Sequence, residues 1–246
     1  MPNTYLITGA SSDVGTLLID RLLSHGQPED TVYAQGYGDL EHLVPLIQKY
    51  PGRIFTFDVN LADSQHVALF LDTLDSEMGC PSHIVHLPAL PVVNAQIKKF
   101  DEARFALDVQ VQAGSAAAVC KRFVPKMAKR GAGRVLFMLT SYILGIPPKH
   151  VAAYVMAKEA LHGLAKSLAA DTAGTGVTVN CVAPSMMETK FLAETPHLIV
   201  QAAAEAHPMG RNATPQDVVP AMEFLLGEEA AFITGVVLPI TGGAAN

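Results

Sequence analysis

The stretch "LITGASSDVGTLL", residues 6–18, joins a short apolar run to an amphipathic one through a turn with glycine at each end. Gly9 lets the chain turn tightly where a strand would end. Gly15 lets a pyrophosphate approach the amide N–H groups at the start of a helix, where the helix dipole also favours an anion. A plain strand–turn–helix connection would read much the same, so the rest of the chain has to decide what this turn serves.

Strand-like and helix-like runs alternate on the C-terminal side of it. Apolar, β-branched runs recur at "TVYAQG" (31–36), "RIFTFDV" (53–59), "SHIVHL" (82–87), "GRVLFMLTS" (133–141), "GVTVNCVAP" (176–184) and "GVVLPI" (235–240). Helical patterns lie between them at 14–25, 40–50, 64–78, 100–130 (two helices or one bent helix), 152–172 and 215–226. Such alternation predicts a doubly wound α/β sheet of about seven parallel strands with helices on both faces. No repeat or linker divides residues 1–246, so a single domain is expected. Residues 186–212 show no clear period. They follow a strand's carboxyl end, where ligands bind in open α/β sheets, and suit either a substrate lid or a plain surface excursion.

Composition limits the function. Half of the 246 residues are hydrophobic and 16 % are charged, enough for a large core. A net charge of −6 argues against nucleic-acid partners and against docking on an anionic membrane. No apolar run reaches the ~20 residues of a membrane span. "MPNT" leads into the first apolar run with no basic leader, so no signal peptide is expected. Cys80, Cys120 and Cys181 are odd in number and unclustered, which suits a reducing, cytoplasmic location. Cys80, His83 and His86 have metal-like spacing, but strand period two sends residues three apart to opposite faces, and no metal is expected. The basic cluster Lys121, Arg122, Lys126, Lys129 and Arg130 reads as a solvated helix face or as a docking site for an acidic acyl carrier.

A second constellation lies at 141–158. Tyr154 and Lys158 are four apart and share a helix face, with Ser141 thirteen residues before the tyrosine. A phenol, with its usual pKa near ~10, is a poor proton donor–acceptor at neutral pH unless a nearby ammonium favours the phenolate.

With these motifs in order, the chain resembles the short-chain dehydrogenase/reductase family over almost its whole length. "TGASSDVG" (8–15) stands for the family's T-G-x-x-x-G-x-G, "FDV" (57–59) for its D-V pair, "HLPA" (86–89) for N-N-A-G and "DVQV" (108–111) for D-V-N-L. "YVMAK" is Y-x-x-x-K, and "VNCVAPSMMETK" (179–190) matches V-N-x-V-x-P-G-x-x-x-T. Residues 209–243 follow the 3-oxoacyl-carrier-protein reductase branch most nearly. The resemblance implies strand order 3-2-1-4-5-6-7 and NADP- or NAD-dependent interconversion of a ketone and a secondary alcohol. Tyr154 is then the general acid/base, Ser141 holds the substrate oxygen, Lys158 also holds the nicotinamide ribose, and Gln110 replaces the relay asparagine. The implied cofactor contacts are Gly9, Ser11, Ser12, Asp13, Val14, Gly15, Asp58, Val59, Pro88, Tyr154, Lys158, Pro184, Ser185, Met187 and Thr189. Relatives assemble as homotetramers or homodimers through helices matching 109–130 and 154–172 and through the last strand, and the small-residue run Ala113–Val119 suits that contact.

Four positions depart from the pattern. Asp13 puts a carboxylate near the pyrophosphate unless it turns away or caps the helix. Gln110 is one methylene longer than asparagine, "HLPA" lacks the asparagine that ties neighbouring strands, and Ser185 replaces a glycine. They keep open a cofactor-binding or assembly subunit with little or no catalysis. A halohydrin-dehalogenase-like reading is opposed by Lys158, Gly9 and Gly15. An acid ending the second strand would select NAD. That place falls on Gly36 in "VYAQGYGDL", which leans the reading to NADP unless Asp39 folds back.

Overall fold

The computed structural model describes residues 2–244. Strands β1 (Thr4–Thr8), β2 (Thr31–Gly36), β3 (Ile54–Asp58), β4 (His83–His86), β5 (Gly133–Met138), β6 (Val177–Pro184) and β7 (Val237–Ile240) form one parallel sheet in the order β3-β2-β1-β4-β5-β6-β7. This is the expected order, with "GVVLPI" supplying the β7 edge.

Strand side chains alternate between two cores, as period two requires. Tyr5 and Ile7 face one layer with α1 (Asp13–His25), α2 (Val44–Lys49) and α8 (Pro215–Leu226). Leu6, between them, faces the other layer with α3 (Ser64–Thr73), α5 (Ser115–Arg130) and α6 (Ala152–Asp171). β5 and β6 are buried along their whole length, which is why they read as unbroken apolar runs.

Region 100–130 is one bent helical path. α4 (Glu102–Val109) passes through a wide π turn, Gln110–Gly114, into α5, and Ser115 N–H bonds the Gln110 carbonyl five residues back. The bend begins at Gln110. Three of the seven residues Ala113–Val119 are not free for contact between subunits, because Ser115, Ala116 and Val119 are buried within the chain.

Segment 186–212 is not irregular throughout. It contains α7 (His197–Ala206), whose Leu198 and Ile199 are exposed, so its apolar positions show no one-sided period. Three bonds pin the segment down: Glu188 N–H to the Ala213 carbonyl (2.9 Å), Ala213 N–H to the Met186 carbonyl (3.0 Å) and Asn212 Nδ2 to the Val200 carbonyl (3.0 Å).

Candidate active site

A cavity of about 740 Å³ opens at the carboxyl ends of the central strands. It lies at the switch point, where β1 has β2 on one side and β4 on the other. The glycine turn, the ends of β2 through β6, the start of α6 and segment 187–199 all contribute to its wall.

At one end lies the turn 9–15. Gly9 has φ +69°, and a Cβ there would lie 3.2 Å from Pro88 N. A Cβ on Gly15 would lie 2.5 Å from the Ala10 carbonyl oxygen. Both places need glycine. Ser12, not Asp13, caps α1: its Oγ accepts from Gly15 N–H at 3.1 Å. Asp13 turns away, and its Oδ2 accepts from Lys190 N–H at 2.7 Å, joining the turn to the segment above. Lys190 Nζ in turn lies 2.6 Å from His42 Nε2.

Gln35 is a member of this end that sequence reading missed. Its Oε1 accepts from Gly9 N–H (3.0 Å), and its Nε2 donates to the carbonyls of Gly36 (2.9 Å) and Val59 (2.7 Å). The buried amide therefore binds the ends of three strands. The only signal was a glutamine inside an apolar strand.

Asp39 does fold back. Ser11 Oγ donates to its Oδ1 at 2.6 Å, so an acid stands beside the end of β2 although Gly36 is the strand's last residue. Asp58 accepts from Gly38 N–H at 3.0 Å and lies outside the cavity wall, whereas Val59 and Pro88 are part of it. Pro184, Ser185, Met187 and Thr189 line it from the β6 side. Ser11, Ser12, Asp13 and Val14 complete the turn's share of the wall.

At the other end stand Tyr154 and Lys158, with the Lys158 Nζ 5.9 Å from the Tyr154 ring centroid. Lys158 is 1 % exposed and donates to the Met138 carbonyl at 2.8 Å. Burial pulls its pKa down to about 7, against the opposing pull of Asp108 and Cys181. Burial likewise raises the Tyr154 phenol well above its ordinary value. The phenol's net shift is thus upward where a lowering was expected, because desolvation, the largest effect on each of the two groups, disfavours both charged forms.

Two other expected residues are not where the motifs suggested. Ser141 is 1 % exposed, its Oγ has no partner among the described residues, and the cavity wall at this point is lined by Thr140 and Tyr142. Gln110 points its Nε2 at the Leu61 carbonyl (3.5 Å) and does not reach the cavity. The polar stripe of this helical path is Arg104, Asp108 and Gln112, four residues apart, with Asp108 and Gln112 buried and Arg104 partly exposed.

His86 supplies the tie that asparagine would have made. Its ring lies 2.7 Å from Thr8 Oγ1 through Nδ1 and 2.8 Å from the Gln112 carbonyl through Nε2. A carbonyl only accepts, so Nε2 carries the proton and Thr8 donates to Nδ1. Burial holds the ring neutral, with a pKa of about 3. His83 faces the other layer, bonded to the Leu226 carbonyl at 3.1 Å.

The basic cluster is largely paired. Arg122 meets Asp72 (2.6 Å) and Asp75 (3.3 Å), Lys126 meets Asp75, and Arg130 donates to the carbonyls of Cys80 and Pro81.

The family model for enoyl-(acyl carrier protein) reductase matches residues 30–245. The chain is 27 % identical over 256 residues to an NADPH-dependent aldehyde reductase-like chloroplastic protein of Arabidopsis thaliana, covering 97 % of this chain and 92 % of that one. It is 26 % identical over 241 residues to the 3-oxoacyl-(acyl-carrier-protein) reductase of Thermotoga maritima, covering 97 % and 96 %. A structure from Beutenbergia cavernae, described as a candidate NAD(P)-dependent gluconate 5-dehydrogenase with NADP bound at low occupancy, superposes with a TM-score of 0.89. It is 26 % identical and covers 98 % of this chain and 96 % of that one.

Proposed function

The chain belongs to the short-chain dehydrogenase/reductase family of NAD(P)-dependent oxidoreductases, and from that premise we propose that it interconverts an uncharged, apolar ketone and its secondary alcohol. The observation that carries this reading is one cavity holding the glycine turn at one end and the Tyr154–Lys158 pair at the other.

The residues present fit a nicotinamide dinucleotide. Gly9 and Gly15 leave room for close backbone approach, and the Asp13 carboxylate, engaged by Lys190 N–H, is turned off the N-terminus of α1. Ser11, Ser12 and Val14 would hold the phosphates, Val59 and Pro88 the adenosine side, and Pro184, Met187, Thr189 and Lys158 the nicotinamide side. The bound cofactor supplies or accepts the hydride. Tyr154 moves the proton at its phenol oxygen, and Lys158 orients and charges that corner. Segment 187–199 closes over the cavity as a lid that excludes water.

The far wall, with Leu90, Val92, Leu107, Val111, Val151 and Ile199, favours an apolar substrate. A free ketone suits the protein better than a carrier-bound one, because most of the basic cluster already has partners. The assembly is proposed as a homotetramer or homodimer. Exposed Leu107 and Met156 on α4 and α6, and Phe224, Phe232 and Val236 around β7, support it. Among the described residues no helix is long and apolar enough to cross a membrane.

The test is fluorescence titration with NADH and NADPH, followed by a ketone and alcohol panel on the parent and Tyr154→Phe. Turnover should fall about 10²–10⁴-fold in the variant with cofactor affinity unchanged. Equal turnover would end the assignment of Tyr154. Cofactor binding with no turnover by the parent would instead favour a binding or assembly subunit.

A further inference from the structure

We propose that Lys190, aimed by His42, receives the 2′-phosphate of NADP(H), so that the lid supplies the cation that reads this group. The inference rests on the NAD(P)-dependent reading of the cavity and needs no particular substrate.

The first observation concerns the cations of the cavity wall. Among the described residues, two lysine or arginine side chains stand on it, Lys158 and Lys190. Lys158 is buried beside Tyr154 and is committed to the Met138 carbonyl at 2.8 Å. The glycine turn 9–15 carries no basic residue, and neither does the run Gly36, Tyr37, Gly38 and Asp39 that ends β2. A phosphate on the adenosine ribose therefore finds its cation at Lys190.

The second observation is where that ammonium stands. The Lys190 backbone is fixed at the start of α1, where its N–H donates to Asp13 Oδ2 at 2.7 Å. Its side chain reaches across to the helical turn Leu40–Leu43 that follows β2, and Nζ lies 2.6 Å from His42 Nε2. In an open α/β sheet the pyrophosphate meets the helix N-terminus, and the adenosine ribose meets the end of the second strand. The ammonium is thus carried from the pyrophosphate side of the cavity to the ribose side. An ammonium only donates, so His42 Nε2 accepts and the ring proton stands on Nδ1. That Nδ1 is shut off from solvent, has no hydrogen-bond partner among the described residues, and lies 3.8 Å from Asp39 Oδ2. Ser11 Oγ holds the other Asp39 oxygen at 2.6 Å. Lys190, His42, Asp39 and Ser11 form one chain from the lid to the glycine turn, and all of them line the cavity.

The chain also changes the charge that a cofactor meets. An acid at the end of the second strand repels a 2′-phosphate. Asp39 alone would do so, but an ammonium on the far side of the imidazole opposes it. The corner offers Asp39 to a 2′-hydroxyl and Lys190 to a 2′-phosphate. Lys190 is exposed, so salt weakens its pull. It belongs to segment 187–199 and is in place only while that segment lies on the glycine turn, so a 2′-phosphate also favours closure.

The experiment titrates the parent, Lys190→Met, Lys190→Arg and His42→Leu with NADPH and NADH by fluorescence, at low and high salt. Calorimetry with adenosine 2′,5′-bisphosphate and adenosine 5′-phosphate isolates the adenosine end, because the two differ only in the 2′-phosphate. Lys190→Met keeps the backbone bond to Asp13 and should weaken NADPH and the bisphosphate by about tenfold or more at low salt. NADH and the monophosphate should weaken by less than about threefold. Lys190→Arg should keep most of the parent's preference. His42→Leu should shift the preference as Lys190→Met does but by less, because the ammonium loses the acceptor that aims it. Added salt should lower the parent's preference for NADPH more than that of Lys190→Met. Amide hydrogen exchange at 187–192 should slow more with NADPH than with NADH in the parent, and equally with both in Lys190→Met. Equal losses of NADPH and NADH in Lys190→Met would place Lys190 at the pyrophosphate and overturn the proposal while the cofactor reading stands. An unchanged preference in Lys190→Met would overturn it too. A parent that binds neither cofactor would bring down the cofactor reading and the proposal together.

Discussion

Replacing Lys158 by methionine should make the protein more stable at neutral and mildly acidic pH, and the gain should disappear as the pH rises. An ordinary lysine keeps its proton to 10.5, whereas in the fold burial brings this one down to about 7. Between those values the unfolded chain binds more protons than the folded one, so stability rises with pH across that window and is flat in this group below it. Each pKa unit corresponds to about 1.4 kcal/mol, so the buried charge costs the folded state on the order of 5 kcal/mol below pH 7. No screening discount applies, since the side chain is 1 % exposed. Methionine fills a similar volume without the charge, but leaves the Met138 carbonyl without its 2.8 Å donor, which costs roughly 1–3 kcal/mol. The expected variant-minus-parent difference is therefore positive by about 2–4 kcal/mol at pH 6–7. It should shrink through pH 8–9 and become negative, by roughly 1–3 kcal/mol, above about pH 10.5. Urea unfolding of both proteins at a series of pH values measures it, and taking the difference cancels the other titrating groups. A difference that does not change with pH would refute the reasoning, because the ammonium would then be as well solvated in the fold as outside it.

His86→Leu should destabilise the protein by roughly 2–5 kcal/mol, because Thr8 Oγ1 keeps only its longer 3.4 Å bond to the Val85 carbonyl and the Gln112 carbonyl loses the ring N–H at 2.8 Å. The parent should lose stability as the pH falls from about 6.5 toward 3, the window in which the unfolded imidazole is protonated and the buried one is not, and His86→Asn should flatten that slope. Asp39→Ser, which removes the carboxylate held by Ser11, should raise the ratio of kcat/KM with NADPH to that with NADH by about tenfold or more, screening having been allowed for; an unchanged ratio would mean that Asp39 does not face the adenosine ribose. Asp13→Gly should speed amide hydrogen exchange around Lys190 with little change in global stability, since it removes the acceptor that ties the segment to the glycine turn.

The sheet could be read from the sequence because its strands are short apolar runs separated by helical periods, and because a parallel order follows from that alternation. The same reasoning left 100–130 open as two helices or one bent helix, which the structure shows as one path bent at Gln110, and it left α7 unread, since Leu198 is exposed while the neighbouring Ile199 borders the cavity, so the apolar positions follow no one-sided pattern. The placement of candidate residues was readable where a backbone constraint dictates the residue type, as at Gly9 and Gly15, or where helical spacing dictates the direction, as at Tyr154 and Lys158. They were not readable where direction depends on a turn. Ser141 and Gln110 occupy the motif positions, yet the turn after β5 and the π turn send their side chains elsewhere. The sign of the Tyr154 shift was also out of reach, because it compares a charge interaction with a desolvation cost that depends on how deeply both groups are packed.

The departures at Asp13 and His86 share a physical pattern. Each introduces a polar or charged group that its surroundings would reject on its own, and each is met by a partner from another element. The Asp13 carboxylate takes Lys190 N–H from the segment above. The His86 imidazole, larger than an asparagine amide, spans from Thr8 on β1 to the π turn and so braces both the glycine turn and the helix that packs on α6. A chain drifting away from catalysis has no reason to supply such partners, since an unpaired buried group costs stability whether or not the site works, and the cheaper repair is an apolar residue. Here the polar repairs instead keep the backbone of the turn and the Tyr154–Lys158 corner in place. That is the arrangement expected if hydride and proton transfer still set the geometry, and it is why turnover by the parent, rather than cofactor binding alone, is the outcome these residues favour.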